Sequence, residues 1–281
     1  AAEADRARLA ELMVGREVTM PTARAHAPGA VVCELDGVAV EPGLAPVTLA
    51  LRAGEITAIA GVSGNGQALL ADVLCGVRAP TRGRVALGGQ AVAATPQAWV
   101  AAGVARIPED RHAIGVIGDL PVWENAMSER YRTRFARTGW VRRGAARTFA
   151  QRVIERFDVR AGRGMDTPAR ALSGGNMQKL ILGRVLLRAA PPVLIVANQP
   201  TWGLDIGAVA FVHQQLLDAC AQGAAVLLVS DDLDEIFALA DRVAVMHAGR
   251  LGEAKPATAW SRQAIGLAMA GASGHEAAHA A

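Results

Sequence analysis

The strand-like run Glu55 to Ala60 breaks into the loop Gly61-Val62-Ser63-Gly64-Asn65-Gly66-Gln67-Ala68, and the helical run Leu69 to Leu74 follows directly. Strand, glycine loop, helix is the order in which backbone amides converge on an anion, and it separates a phosphate cradle from a chance glycine cluster. It also limits the architecture, because a strand feeding a helix through a tight loop belongs in a parallel sheet. Further apolar runs at 193–197, 225–230 and 242–247 alternate with helical patterns at 206–222 and 232–240. The expected class is α/β with a mainly parallel sheet. Two strands, Val31 to Val40 and Pro46 to Arg52, are expected to add a small antiparallel β edge. With 281 residues, 52% hydrophobic and 20% charged, the chain can bury a sizeable sheet.

Further along, Ala171-Leu172-Ser173-Gly174-Gly175-Asn176 precedes a helical run to Leu187. On its own, a Ser-Gly-Gly turn before a helix is an ordinary cap. The glycines also let the backbone approach a ligand, Ser173 supplies a hydroxyl, and the helix start presents free N–H groups to an anion. The glycine loop upstream and the strand ending in Asn198-Gln199-Pro200-Thr201 downstream favour this second, phosphate-contacting reading. A working phosphate loop carries a lysine after its last glycine, then a Ser or Thr on Mg²⁺. Those places hold Gln67 and Ala68. Gln67 can still offer a neutral hydrogen bond, about 1 kcal/mol against about 1.5–3 for a charge-assisted one, but Ala68 cannot touch a metal.

In this order the segments resemble the phosphate loop, the signature and the second acidic strand of the ATP-binding cassette (ABC) family. Other positions extend the likeness. Thr201-Trp202-Gly203-Leu204-Asp205 resembles the D-loop and keeps its aspartate, and Ile107-Pro108-Glu109-Asp110-Arg111 stands at the Q-loop. Against the family pattern, Glu109 replaces a metal-contacting glutamine, Asn198 and Gln199 replace Asp and Glu, and Asp231 replaces the switch histidine. No Phe, Tyr or Trp precedes Trp99, so the usual adenine-stacking aromatic is missing as well. The glycines and the signature survive while the charged chemistry is gone, which looks like a division of labour.

The motif set is similar to the second cassette of the tandem ATPase subunits of nucleoside and simple-sugar importers, over roughly residues 31 to 252. Ala68, Met177 and Trp202 depart from that pattern. The resemblance implies a P-loop NTPase (RecA-like) core with an inserted α-helical subdomain at about 112–171. It implies ATP contacts at Gly61, Ser63, Gly64, Asn65, Gly66, Gln67 and Ala68, at Leu172, Ser173, Gly174, Gly175 and Asn176, and at Asp205. Asn198, Gln199, Asp231 and Glu109 are degenerate positions to which no catalytic or metal-ligand role is assigned. ATP is expected to bind weakly at this chain's own loop, with Mg²⁺ held at a partner cassette's site.

The net charge of +3 is too modest to argue for nucleic acid, and no run of 18 apolar residues suggests a membrane span. Cys33, Cys75 and Cys220 have no metal-ligand spacing and suit reduced, buried thiols. A basic stretch from Arg130 through Arg132, Arg134, Arg137, Arg142, Arg143 and Arg147 reads by default as a solvated helical face, with acidic loops or lipid headgroups beside a permease as the alternative. Trp123, Trp140 and Tyr131 are candidates for a permease groove, with ordinary core packing as the rival. Residues 1–19 resemble the closing helix of a preceding cassette, 20–30 a linker, and 253–281 a C-terminal helix and flexible tail.

The expected partners are an N-terminal cassette of the same polypeptide, transmembrane permease subunits and, indirectly, a solute-binding protein, at the cytoplasmic face of a bacterial plasma membrane. The isolated chain is expected to hydrolyse little or no ATP. One alternative is an active cassette in which Gln199 positions the water, and another is a soluble ABC protein working on nucleic acid or ribosomes. The transported solute is not encoded in these residues.

Overall fold

The structure, a computed structural model, describes residues 20–21 and 27–271. The expected helix at 1–19, linker residues 22–26 and tail residues 272–281 lie outside the described residues. The chain forms two compact units. A helical unit holds Glu109–Leu187 and Pro200–Asp218, and a sheet unit holds the described residues 27–108, Arg188–Gln199 and 219–271.

The sheet unit begins with β1 (Val31–Val40) and β2 (Leu44–Arg52), followed by β3 (Ile56–Ala60), α1 (Gln67–Val73), β4 (Arg82–Leu87), β5 (Gln90–Ala91), α2 (Pro96–Ala101) and β6 (Val104–Ile107). Along β1, Cys33 and Leu35 are buried while Glu34 and Asp36 are exposed, the alternation of a strand with one wet face. The antiparallel edge is larger than the two strands expected, being four-stranded in the order β2-β1-β4-β5. The first three residues of β4 are exposed, so only the short run Val85–Leu87 is apolar, too little by which to recognise a strand.

The helical unit contains α3 (Val122–Met127), a short hairpin of β7 (Ala136–Arg137) and β8 (Trp140–Val141), α4 (Arg143–Phe157) and α5 (Gly174–Leu186). Pro121 stands at the α3 N-cap and Glu124 in its first turn. The fully buried Asn125 clamps the preceding loop, accepting from the Ile117 amide at 2.8 Å and donating to the Ile117 and Leu120 carbonyls at 3.0 Å each. Phe149, Val153 and Phe157 form the buried stripe of α4. α5 approaches them closely, since a Cβ on Gly183 would come within 2.5 Å of Val153 Cγ1. The expected arginine-bearing stretch does not lie on a single helix. Arg130 closes a 3-10 turn, Arg132 and Arg134 lie in a π turn, Arg137 is in the hairpin, and only Arg143 and Arg147 are on α4. Trp123 is core at 9% exposed, whereas Trp140 sits on the hairpin rather than a helix.

The chain continues with β9 (Leu194–Asn198), α6 (Ile206–Ala221), β10 (Ala225–Ser230), α7 (Leu233–Leu239), β11 (Arg242–His247), β12 (Arg250–Leu251), β13 (Lys255–Pro256) and α8 (Arg262–Met269). The main sheet runs β12-β11-β3-β10-β9-β6, with β13 also on β11. From β11 to β6 every pair is parallel. β3, β9 and β10 are buried along their whole length, as continuous apolar runs in a covered parallel sheet must be, and each Leu, Ile or Val there contributes about 1.5–3 kcal/mol. α8 extends through Met269.

Candidate functional site

Parallel strands that share a sheet deliver their C-terminal ends to one edge, where open α/β sheets bind ligands. Ala60 pairs with Ser230, and Val229 pairs with Asn198. The glycine loop after β3, Gln199 after β9 and Asp231 after β10 therefore emerge side by side.

The loop is held by its own side chains. Asn65 Nδ2 and Gln67 Nε2 both donate to the Val62 carbonyl, each at 2.9 Å. Asn65 also ties the loop to the turn after β11, its Oδ1 accepting from the Ala248 amide at 2.7 Å and its carbonyl from the Gly249 amide at 2.9 Å. Gln67 is 4% exposed and turns back into the loop, so the free donor expected of it is already engaged; its Oε1 has no partner. Gly61 has to be glycine there, because a Cβ would lie 2.5 Å from Gln67 Nε2 and 2.6 Å from the Met246 carbonyl. Ser63, Gly64 and Ala68 are exposed and Gly66 caps α1 at φ 107°, with no side-chain bond. Trp99, the first aromatic of the chain, is 3% exposed and packs against Gly76 in the core.

Beside the loop stand Asn198, 9% exposed, and Gln199, 7% exposed. Gln199 adopts the left-handed backbone, φ 46°, while its amide donates to the Val229 carbonyl at 2.8 Å. A non-glycine residue in that region stores on the order of 1 kcal/mol or more of strain. Asp231 is exposed, and the neighbouring Asp232 caps α7 through the Asp234 amide at 2.8 Å. Among the described residues no group of three or more His, Cys, Asp or Glu side chains is placed to hold a metal ion.

The signature turn lies in the helical unit. Leu172 is buried beneath it and Ser173 is the exposed N-cap of α5. Ser173 Oγ accepts from Asn176 Nδ2 at 2.9 Å and from the Asn176 amide at 3.4 Å. Asn176 is itself oriented by the Arg160 amide, which donates to its Oδ1 at 2.8 Å. With its lone pairs engaged, the hydroxyl keeps its proton for an outside acceptor. The amides of Gly174 and Gly175 open α5 without intrahelical acceptors. A Cβ on Gly175 would press on Ala208 at 3.2 Å and approach Asp205 Oδ2 at 3.6 Å, and Asp205 Oδ1 in turn accepts from the Ala208 amide at 2.9 Å.

In the sequence Arg111 stands only as the end of the Q-loop-like segment, with no role given to it. It is 8% exposed, its Nη1 donates to the Trp202 carbonyl at 2.7 Å, and its Nη2 reaches the Gly203 carbonyl at 3.4 Å. Its guanidinium also lies 3.3 Å from where a Gly174 Cβ would stand. It thus joins the Glu109–Arg111 segment to both the D-loop-like turn and the signature turn. Asp110 shapes the turn that carries it, accepting from Ala113 at 2.8 Å and His112 at 2.9 Å, and the Ala113 bond, then that of His112, holds its carboxyl below the usual range.

The ABC transporter family profile matches residues 44–198. The chain belongs to the ABC transporter family. Solved cassettes share its fold: a nucleotide-free ATP-binding cassette from an ABC transporter superposes with TM-score 0.66 at 20% identity over 81% of this chain and 92% of that one. An ATP binding subunit of an ABC transporter gives TM-score 0.65 at 22% identity over 87% and 97%. Among curated relatives, the guanosine import ATP-binding protein NupO of Bacillus subtilis (strain 168) is 41% identical over 97% of this chain and 54% of its own length. The glucose import ATP-binding protein TsgD13 of Haloferax volcanii is 42% identical over 96% and 50%. The nucleoside import ATP-binding protein NupA of Lactococcus lactis subsp. cremoris is 37% identical over 94% and 53%. This ABC chain spans about half the length of the curated relatives it matches. No helix among its described residues is long and apolar enough to cross a membrane.

Proposed function

We infer that this chain is the C-terminal, degenerate cassette of an ABC importer for nucleosides or simple sugars. Its partners are an N-terminal cassette of the same polypeptide and a membrane permease fed by a solute-binding protein, and it works peripherally at the cytoplasmic face of a bacterial membrane. The import names of the relatives support the substrate class, and the motif set supports the assignment to the second cassette.

The observation that carries this reading is a contrast between two half-sites. The signature turn has a hydroxyl proton and two helix-start amides available to phosphate oxygens. At the loop, the Asn65 and Gln67 amide groups already serve Val62, no lysine follows the last glycine, and Ala68 has no oxygen for a metal. The loop residues therefore fit Mg²⁺ poorly and a triphosphate weakly, whereas Ser173, Gly174 and Gly175 fit phosphate well. In the family's paired arrangement a signature closes over nucleotide held by the opposite cassette, so the effective contribution of this chain is made in trans. Residues 31–252 form the cassette in this reading, with the inserted helical subdomain at about 112–171.

In the complete transporter, Ser173→Arg should abolish most transport-coupled ATP hydrolysis, since it removes a transition-state contact of the kind whose loss slows turnover about 10²–10³-fold. Gln67→Ala should leave at least about half of it. Equal and severe losses would refute the asymmetry, and equal, negligible ones would reduce this chain to scaffold. The strained backbone of Gln199 favours one second reading, in which Gln199 orients water at an active loop. A Mg²⁺-dependent ATPase of this chain that Gln199→Ala eliminates would establish it.

A further inference from the structure

From Arg130 to Ile154 the chain carries eight arginines and no Asp or Glu. Fold and charge together concentrate part of this run on one element, the β7–β8 hairpin with the turns on either side of it. Arg132, Arg134, Arg137, Arg142 and Arg143 are all exposed, and Trp140 is 81% exposed among them. The hairpin turn is tight, Thr138 at φ 50° and Gly139 at φ 84°, a two-residue turn of the primed kind that holds the following indole outward.

The nearby carboxylates do not neutralise this face. Asp166 is engaged by Arg147, Asp158 by Lys179 and Glu129 by Arg184. Among the described residues no acidic side chain pairs with Arg132, Arg137, Arg142 or Arg143. Nor is Trp140 part of the core, where the buried Phe135 and Phe149 rings meet at a tilt, centroids 5.3 Å apart.

We propose that this hairpin is a docking surface for anionic lipid headgroups, the arginines meeting phosphate and the Trp140 indole entering the interfacial layer. An amphipathic aromatic flanked by cations suits the boundary between headgroups and acyl chains. A single-stranded nucleic acid is the less suitable occupant, because base stacking calls for several aromatic platforms along a groove and the hairpin presents one. The inference does not depend on the nucleotide half-sites: vesicle binding succeeds or fails whatever Ser173 and Gln67 do.

The test is co-sedimentation of the chain with vesicles of phosphatidylglycerol and phosphatidylcholine, against pure phosphatidylcholine, with tryptophan emission followed in parallel. Binding should require the anionic lipid, weaken as salt rises, and shift emission to the blue. Each cationic side chain near such a surface is worth about fivefold in affinity, so Arg137→Glu with Arg142→Glu should weaken binding by at least about twentyfold. Trp140→Ala should weaken it about tenfold and remove the blue shift. The milder pair Arg137→Gln with Arg142→Gln, checked by circular dichroism, separates loss of charge from loss of fold. Equal binding to neutral vesicles, or undiminished binding by these variants, overturns the proposal. So does tighter binding to a single-stranded oligonucleotide or to polyglutamate than to anionic vesicles, which would assign the surface to a different macromolecule.

Discussion

Arg111 donates to two main-chain carbonyls of a turn lying 91 and 92 positions further along the chain, and its Nε is buried without an acceptor. Charge-assisted bonds of this kind contribute about 1.5–3 kcal/mol, so Arg111→Ala should lower stability by about 2–3 kcal/mol in urea unfolding. Arg111→Lys should recover little, because an ammonium lacks the planar fork that reaches both carbonyls. Recovery by lysine would mean that charge alone matters there. In the glycine loop, Gly61→Ala should cost about 1–3 kcal/mol, since its new methyl meets the Met246 carbonyl as well as a movable glutamine side chain. The chemical types at these positions were legible in sequence: no lysine at 67, no hydroxyl at 68, amides at 198 and 199. The direction of Gln67 was not, because the Val62 carbonyl that turns it inward is a property of the folded loop. The role of Arg111 could not be read for a related reason, as burial against a distant turn leaves no mark in local spacing.

α4 ends at Asp158, which takes the left-handed backbone at φ 48° and binds Lys179 of α5 twice, through its carboxylate at 2.9 Å and its carbonyl at 3.0 Å. The Lys179 bond holds the Asp158 carboxyl below the ordinary carboxylate range. A depressed folded-state value means that the pair's stabilisation is fully present above about pH 4, the unfolded value, and fades as pH falls through the lowered one. Carboxyl NMR titration should therefore place Asp158 below a model aspartate and return it upward in Lys179→Met. An unmoved titration in that variant would show that Lys179 is not the cause. The buried strands β3, β9 and β10 and the amphipathic α4 could be read from apolar runs and helical spacing because burial itself imposes those patterns. β4 and the β7–β8 hairpin could not, being half exposed or only two residues long, so that main-chain pairing rather than side-chain pattern defines them.

For the whole chain, the proposed degenerate loop leads to a quantitative expectation. Titration calorimetry should give ATP affinity in the high-micromolar range, about 5 kcal/mol, and the purified chain should hydrolyse ATP at background rate. Sub-micromolar, Mg²⁺-dependent binding would contradict both. At this scale the α/β class followed from alternating strand and helix signals and the helical subdomain at about 112–171 was expected from the family likeness, whereas the joining of Pro200–Asp218 to the helical unit is set by long-range packing that single motifs do not encode. Burial of all three cysteines has an experimental consequence. Desolvation pushes the Cys33 and Cys220 thiols up to about 12, far from the thiolate form that alkylating reagents attack. The folded protein is thus a nearly silent background for maleimide chemistry. A single cysteine introduced at Ser173 or Trp140 would carry a spin label or fluorophore with little competing signal, and slow reaction of the native thiols would serve as a clock for how often the sheet unit opens.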